Sequence, residues 1–276
     1  MVPNIIHFVF GLSEDFGGKP FSFVHYMAIK SAIKVNNPSE VILHYEYEPK
    51  GLYWDMIKSE ISLNQIVAPT EIYGNLLKHV AHKSDIIRLQ TLYKVGGIYL
   101  DMDTICVKPI HKLRKYNFVM GTEAEPPVEY TLMQKIKKVI KHQTLRPFRE
   151  NVKGLCNAVI LSEPGAEFIR VWLDSYSTFR SAGTDQFWSE HSVSIPYKLS
   201  KDFPSLVKVL NPFAFHYPIY DDMGLKLLFE EDVSFKKAYI HHLWESMSWE
   251  RYLKDLSIDN VKNVDSTYNR IARKFL

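Results

Sequence analysis

Thiol chemistry is nearly absent from this chain. Its 276 residues include two cysteines, Cys106 and Cys156, far apart and without metal-ligand spacing. That rules out a disulfide framework and makes a reduced compartment the default. Long hydrophobic runs are missing as well: no stretch suffices to cross a bilayer. No basic n-region opens the chain, because Met1-Val2-Pro3-Asn4 leads straight into Ile5-Ile6-His7-Phe8-Val9-Phe10. The expectation is a soluble, cytoplasmic protein, although a chain trimmed of a membrane anchor would read the same. Charge of one sign is lacking too. The formal net charge is +3 with 11 neutral histidines, too small and too dispersed for a nucleic-acid partner. There are no internal repeats, low-complexity tracts or obvious linkers.

What is present is a globular composition, 46% hydrophobic and 24% charged. Aromatics reach 13%, which suits either exposed faces for carbohydrate or a core rich in Tyr and Phe. Strand and helix patterns alternate along the first half. Strands are expected at Ile5 to Phe10, Val41 to Tyr47, Gln65 to Ala68 and Ile98 to Leu100. Helices are expected at Phe21 to Val35, Tyr53 to Glu60 and Leu76 to Val95, the last ended by Gly96-Gly97. This rhythm predicts an α/β fold with a mostly parallel central sheet flanked by helices. Ligands of such sheets sit outside the carboxyl ends of the strands. The second half is less regular. Phe118 to Gly121, Ala158 to Leu161 and Phe235 to His241 read as strands, and Gly165 to Phe179 as a helix. A basic amphipathic segment, Val261 to Leu276, closes the chain. One domain over 1–276 is expected, with a more variable C-terminal portion.

The richest stretch is Ser84-Asp85-Ile86-Ile87-Arg88 followed by Gly96-Gly97-Ile98-Tyr99-Leu100-Asp101-Met102-Asp103. Two carboxylates one residue apart at a strand end can share one hard cation, and oxygen ligands suit Mg²⁺ or Mn²⁺. Asp85 and Arg88, one helical turn apart, share a face. They form either a surface ion pair or a pair reaching the same cleft as Asp101.

Together with Leu92-Tyr93 and the opening Val2-Pro3-Asn4-Ile5-Ile6-His7-Phe8, this pattern resembles glycosyltransferase family 32. These are the DXD-containing sugar-nucleotide glycosyltransferases, and the pattern is close to clostridial glucosylating toxins and yeast outer-chain mannosyltransferases. The resemblance covers roughly residues 2 to 110, and it implies a donor-nucleotide and metal-binding half over 1–110 and an acceptor-side, closing half over 111–276. It implies a GT-A-type nucleotide-diphosphosugar transferase fold and a retaining transfer from a UDP- or GDP-sugar to a hydroxyl of a glycan, glycolipid or other acceptor. It also implies that Asp103 and Asp101 hold Mn²⁺ or Mg²⁺ against the donor diphosphate, or that Asp103 does so while Asp101 faces the ribose and donor sugar. Asp85 and Arg88 would meet the donor sugar hydroxyls. His7, Phe8 and Phe10 would line the base and ribose pocket, and Tyr99 belongs to the same donor site. No catalytic base is assigned, since in a retaining transfer the leaving diphosphate can take the acceptor's proton.

Beyond residue 110, relatives of the family point to three places. In His242-Leu243-Trp244-x-x-x-Ser248-Trp249, His242 would complete the metal shell, with His241 the competing choice, and Trp249 would cover the base or diphosphate. Asn157 would face a sugar or play a structural part. Asp185 would bind sugar hydroxyls or cap the helix toward Trp188. Asp221-Asp222 reads as a solvated turn. Lys135, Lys137, Lys138 and Lys141 form a basic strip. Lys262, Arg270, Arg273 and Lys274 beside Ile271, Phe275 and Leu276 suit peripheral contact with an anionic membrane.

Two alternatives stand beside this reading. Asp101-Met102-Asp103-Thr104 also fits the first motif of haloacid-dehalogenase-type phosphatases, with Asp101 as nucleophile. That motif normally opens its domain, however, and it leaves Asp85, Arg88 and Gly96-Gly97 unexplained. The other is a non-catalytic protein that binds sugar nucleotides.

Overall fold

The computed structural model describes residues 1–125 and 152–276. The basic strip at Lys135 to Lys141 lies outside them. A seven-stranded sheet has the order β10-β8-β9-β6-β1-β2-β3. Its strands are β1 (Ile5–Val9), β2 (Glu40–Tyr45), β3 (Ser62–Gln65), β6 (Gly97–Leu100), β8 (Phe118–Ala124), β9 (Val152–Ser162) and β10 (Lys208–Leu210). Only β9 runs against the rest, pairing antiparallel with β6 on one side and β8 on the other. The two halves of the chain therefore share one sheet.

The helices cover both faces, as a buried parallel sheet requires. Helix α1 (Phe23–Asn36) buries Met27 and Ile29 with Ile6, Phe8, Leu43 and Leu100 on one face. Helix α3 (Val80–Val95) buries Ile86, Leu89 and Leu92 with Val9, Tyr99 and Ile160 on the other. The break after α3 needs both glycines, with φ of +66° at Gly96 and +116° at Gly97. A Cβ at Gly96 would stand 2.7 Å from the Pro164 nitrogen, and one at Gly97 would stand 2.7 Å from the Ile5 oxygen. No L side chain fits either position without displacing backbone.

Several boundaries differ from expectation. Strand β3 lies three residues before the expected 65–68. Helix α3 starts at Val80, not Leu76, because β4 (Glu71–Ile72) and β5 (Asn75–Leu76) form a hairpin there. Its tip, Tyr73-Gly74, has φ of 51° and 78°, the left-handed turn chemistry that hairpins favour. The late strand β11 is Ile240–His242 rather than 235–241, and it pairs with β7 (Thr104–Cys106) in a separate ribbon. The terminal segment forms two short helices, Ile258–Asn263 and Thr267–Ala272, whose Val261 and Ile271 join the core with Phe275. Arg270 pairs with Asp232, and Arg273 with Asp265 at 2.7 Å. Of the expected apolar stripe, Ile271 and Phe275 are thus turned inward while Leu276 stays exposed, and its arginines are engaged within the chain. No helix among the described residues is long and apolar enough to cross a membrane.

Candidate functional site

The carboxyl ends of β1 and β6 lie side by side, so Phe10 and Asp101 leave the same sheet edge. From the α3 side come Asp85 and Arg88, each about 5% exposed. Arg88 is the hub. Its Nη1 stands 3.2 Å from Asp101 Oδ1 and donates to the Asn157 carbonyl at 2.9 Å. Its Nη2 donates to Ser84 Oγ at 3.0 Å and stands 3.5 Å from Asp85. The guanidinium also lies 4.3 Å over the Tyr99 ring, whose hydroxyl donates to Asp101 Oδ1 at 2.7 Å. Such a fork holds two carboxylates at fixed angles in a way a lysine cannot.

Asn157 reaches this cluster because of an irregularity in β9. Met120 pairs with Ile160, but the next residue, Gly121, pairs with Cys156. Residues 157 to 159 therefore bow away from β8 toward β6, where the Ala158 oxygen accepts from Asp101 N at 2.9 Å. Bulges of this kind re-aim side chains. Here the Asn157 amide donates to Asp85 Oδ1 at 2.7 Å. Burial lifts the Asp85 carboxyl to about 6; Arg88 and Asn157 oppose that rise, and the Asp101 charge adds to it.

Asp103 is completed from the far end of the chain. In the β7–β11 ribbon His242 pairs with Thr104, and its Nε2 comes 3.2 Å from Asp103 Oδ2. The same oxygen accepts from Glu245 N at 2.7 Å. Trp244 allows this by adopting φ 58° and ψ 53°, a left-handed conformation that a bulky residue keeps only under constraint. Burial would raise the Asp103 carboxyl, but the His242 ring and the Glu245 N–H outweigh it and hold it well below the usual carboxylate range. Strand alternation decides between the two histidines. His241 points to the opposite face, its Nδ1 bonded to the Tyr217 oxygen at 2.9 Å, with burial pressing it down to about 4. Ligand atoms of Asp101, Asp103 and His242 all lie within 4.8 Å of one another. Two carboxylates and one imidazole fit Mn²⁺ or Mg²⁺.

An aromatic wall stands beside the carboxylates. Phe10 packs against His25, and His25 stacks on Trp249 with an interplanar angle of 17°. Lys19 Nζ lies 5.5 Å from the Trp249 ring. Glu245 joins this wall to the Asp101–Asp103–His242 cluster, with its carboxylate 3.1 Å from His25 and 3.3 Å from Lys19.

Three expected site residues are placed differently. His7 is buried in mid-sheet, bonded to the Gly96 oxygen at 3.0 Å and to His44 at 3.1 Å. Phe8 is fully buried under α1. The parallel register sets both back from the strand edge, so only Phe10, just past β1, reaches the edge where Asp101 stands. Asp185 spends both carboxylate oxygens on its own loop. Oδ1 accepts from Ser181 Oγ and Phe187 N at 2.9 Å each, and Oδ2 accepts from Ala182 N at 2.7 Å. It is a turn-closing residue. Asp221 likewise caps helix Asp222–Phe229.

A family model described as "Glycosyltransferase sugar-binding region containing DXD motif" matches residues 24–119. The chain is also 34% identical to glucan organizing enzyme 1 of Cryptococcus neoformans var. grubii, over all of this chain and 71% of that protein. The chain belongs to the DXD-containing glycosyltransferases. Among solved structures, mouse xyloside xylosyltransferase 1 superposes with a TM-score of 0.50 at 14% identity, over 90% of this glycosyltransferase and 99% of that chain. The WbbM bifunctional glycosyltransferase also gives 0.50, at 12% identity, covering 99% of this chain and 51% of that one. The fold is GT-A. Membership in this family sets the phosphatase alternative aside, and Asp101, held by Tyr99 and Arg88, is no free nucleophile.

Sequence reasoning missed Lys19, His25 and Glu245. Glu245 follows the His-x-Trp segment and was within reach of attention. His25 carries no such signal, because it sits within an ordinary helical pattern.

Proposed function

We propose that this glycosyltransferase is metal-dependent and retaining, and that it moves a hexose from a UDP- or GDP-sugar to a hydroxyl of a carbohydrate or glycolipid. The observation that carries this reading is the convergence of Asp101, Asp103 and His242 beside the Arg88–Asp85–Asn157 cluster at one strand edge. Asp103 and His242 would hold Mn²⁺ or Mg²⁺, with Asp101 as a further ligand or as a partner of the donor. When bound, the cation offsets the charge that develops on the leaving diphosphate. Arg88 orients Asp101 and Asp85 and keeps positive charge beside the donor. Asp85 and Asn157 present polar atoms to the sugar hydroxyls, and Phe10, part-exposed with His25 and Trp249 buried behind it, is the aromatic face suited to a base. Asp85 and Asp101 both hold Arg88, so neither stands free as a base, which supports proton transfer to the leaving diphosphate. The relative named for organising glucan favours a polysaccharide-linked acceptor.

The test is a thermal-shift panel of UDP- and GDP-sugars with and without Mn²⁺. One donor, with metal, should raise Tm by about 5–10 °C at saturating concentration. If no donor shifts Tm, or if shifts are the same without metal, the proposal fails. Binding without hydrolysis or transfer would point instead to a non-catalytic sugar-nucleotide protein.

A pH dependence follows from Asp85. Only its ionised form accepts from sugar hydroxyls and balances Arg88, so kcat/KM should fall about tenfold per pH unit below a midpoint near 6. The stability effect runs the other way. The folded carboxyl holds its proton up to about 6, against an ordinary 3.8, so ionising Asp85 costs the fold stability as pH rises through that window. Subtracting the stability–pH curve of Asp85→Asn from that of the wild type isolates this term. Activity that stays flat down to pH 4.5 would contradict the role given to Asp85.

A further inference from the structure

Beside His242 lie two side chains that the transfer reaction does not use. Cys156 is a buried free thiol, and His216 is fully buried. Neither ring nitrogen of His216 has a hydrogen-bond partner, and Nδ1 of His242 lacks one as well. The Cys156 thiol is close enough to interact with the His242 ring. An imidazole buried with both nitrogens idle is costly, and buried polar groups are otherwise almost always satisfied. The chain also makes room for this ring. A Cβ at Gly121, the residue paired with Cys156, would stand 3.0 Å from His216 Cδ2 and 3.2 Å from its Nε2. One ligand atom each from Cys156, His216 and His242 lies within 4.8 Å of the others.

We propose that Cys156, His216 and His242 form a second metal site, selective for a soft or borderline transition-metal ion such as Zn²⁺, back to back with the Asp101–Asp103 site. One thiolate and two imidazoles are a donor set for such an ion, whereas the carboxylates across His242 suit a hard one. Binding displaces the Cys156 thiol proton to solvent and forms the sulfur–metal bond. It also fixes the tautomer of His242. With Nδ1 on the soft metal, the ring proton sits on Nε2 and is donated to Asp103, so no lone pair is left for Mn²⁺. The two ions therefore compete for one imidazole, and Zn²⁺ acts as an inhibitor. The competition rests on His242 serving the Asp101–Asp103 site; the second site itself does not.

Co²⁺ titration of the intact protein in a non-thiol reductant tests the site without donor or Mn²⁺. One equivalent should produce a thiolate-to-cobalt charge-transfer band that Zn²⁺ abolishes. Cys156→Ser should remove the band, His216→Asn should weaken Co²⁺ affinity at least tenfold, and Cys106→Ser should leave both unchanged. Absence of the band in the wild-type protein overturns the site regardless of how any variant folds, and so does an unchanged affinity in Cys156→Ser. Mn²⁺ should weaken Zn²⁺ binding by the same factor as Zn²⁺ weakens Mn²⁺ binding. Independent binding of the two ions would overturn the shared imidazole.

Discussion

Asp103→Ala is expected to abolish Mn²⁺-dependent donor binding and to lower donor turnover by about a thousandfold, the scale set by several kcal/mol of charge stabilisation. Asp103 is the point where two distant segments meet, since its Oδ2 takes both the His242 ring and the Glu245 N–H. Losing the carboxylate removes a ligand and releases the segment that carries the other one. Calorimetry of Mn²⁺ and donor binding, with hydrolysis of the same donor, gives the measurement. Asp101→Ala should act differently. Asp101 is anchored by Tyr99 and Arg88, so its loss should leave part of the metal affinity and disorder Arg88. Undiminished hydrolysis in Asp103→Ala would refute the metal assignment.

Arg88→Ala should be the most destabilising single change at the site, by about 3–5 kcal/mol. The guanidinium is buried among Asp85, Asp101, the Asn157 carbonyl and the Tyr99 face, and its removal leaves two carboxylates close together with no cation between them. Urea unfolding at neutral pH reads the effect, and activity should vanish with it. Adding Asp85→Asn should restore part of the lost stability, because it takes away one of the stranded charges. A loss below about 1 kcal/mol would mean that water enters the cluster, and the description of Arg88 as its hub would fail.

The first half of the chain was readable because its signals are local. An apolar strand, a double glycine and carboxylates at a spacing of two lie within twenty residues, and the period of each element places them on the strand edge. The closing half was not readable in the same way. His242 reaches Asp103 through a ribbon joining segments some 140 residues apart, and no periodicity announces such a pairing. Period-two alternation could have chosen His242 over His241, but only once residues 240–242 were known to be a strand. The bow at Asn157 was not readable, because one buried asparagine within β9 fits a regular strand as well as a bulged one. Asp185 stayed open between two roles for a related reason: Ser-Ala-Gly-Thr-Asp has the composition of a ligand loop and of a self-bonded turn alike, and only the hydrogen bonds distinguish them. Tyr73-Gly74 carried turn chemistry that the apolar run toward α3 obscured.

The β7–β11 ribbon also sets the order in which the protein becomes competent during synthesis. Asp101 and Asp103 leave the ribosome early, yet their third companion and the amide that steadies Asp103 belong to residues 242 and 245. A nascent or truncated chain that carries the DXD signature but stops before this point holds its pair of aspartates without His242 or the Glu245 amide. Under the function proposed above, such a chain would bind neither cation nor donor until its last quarter had folded back onto its first half.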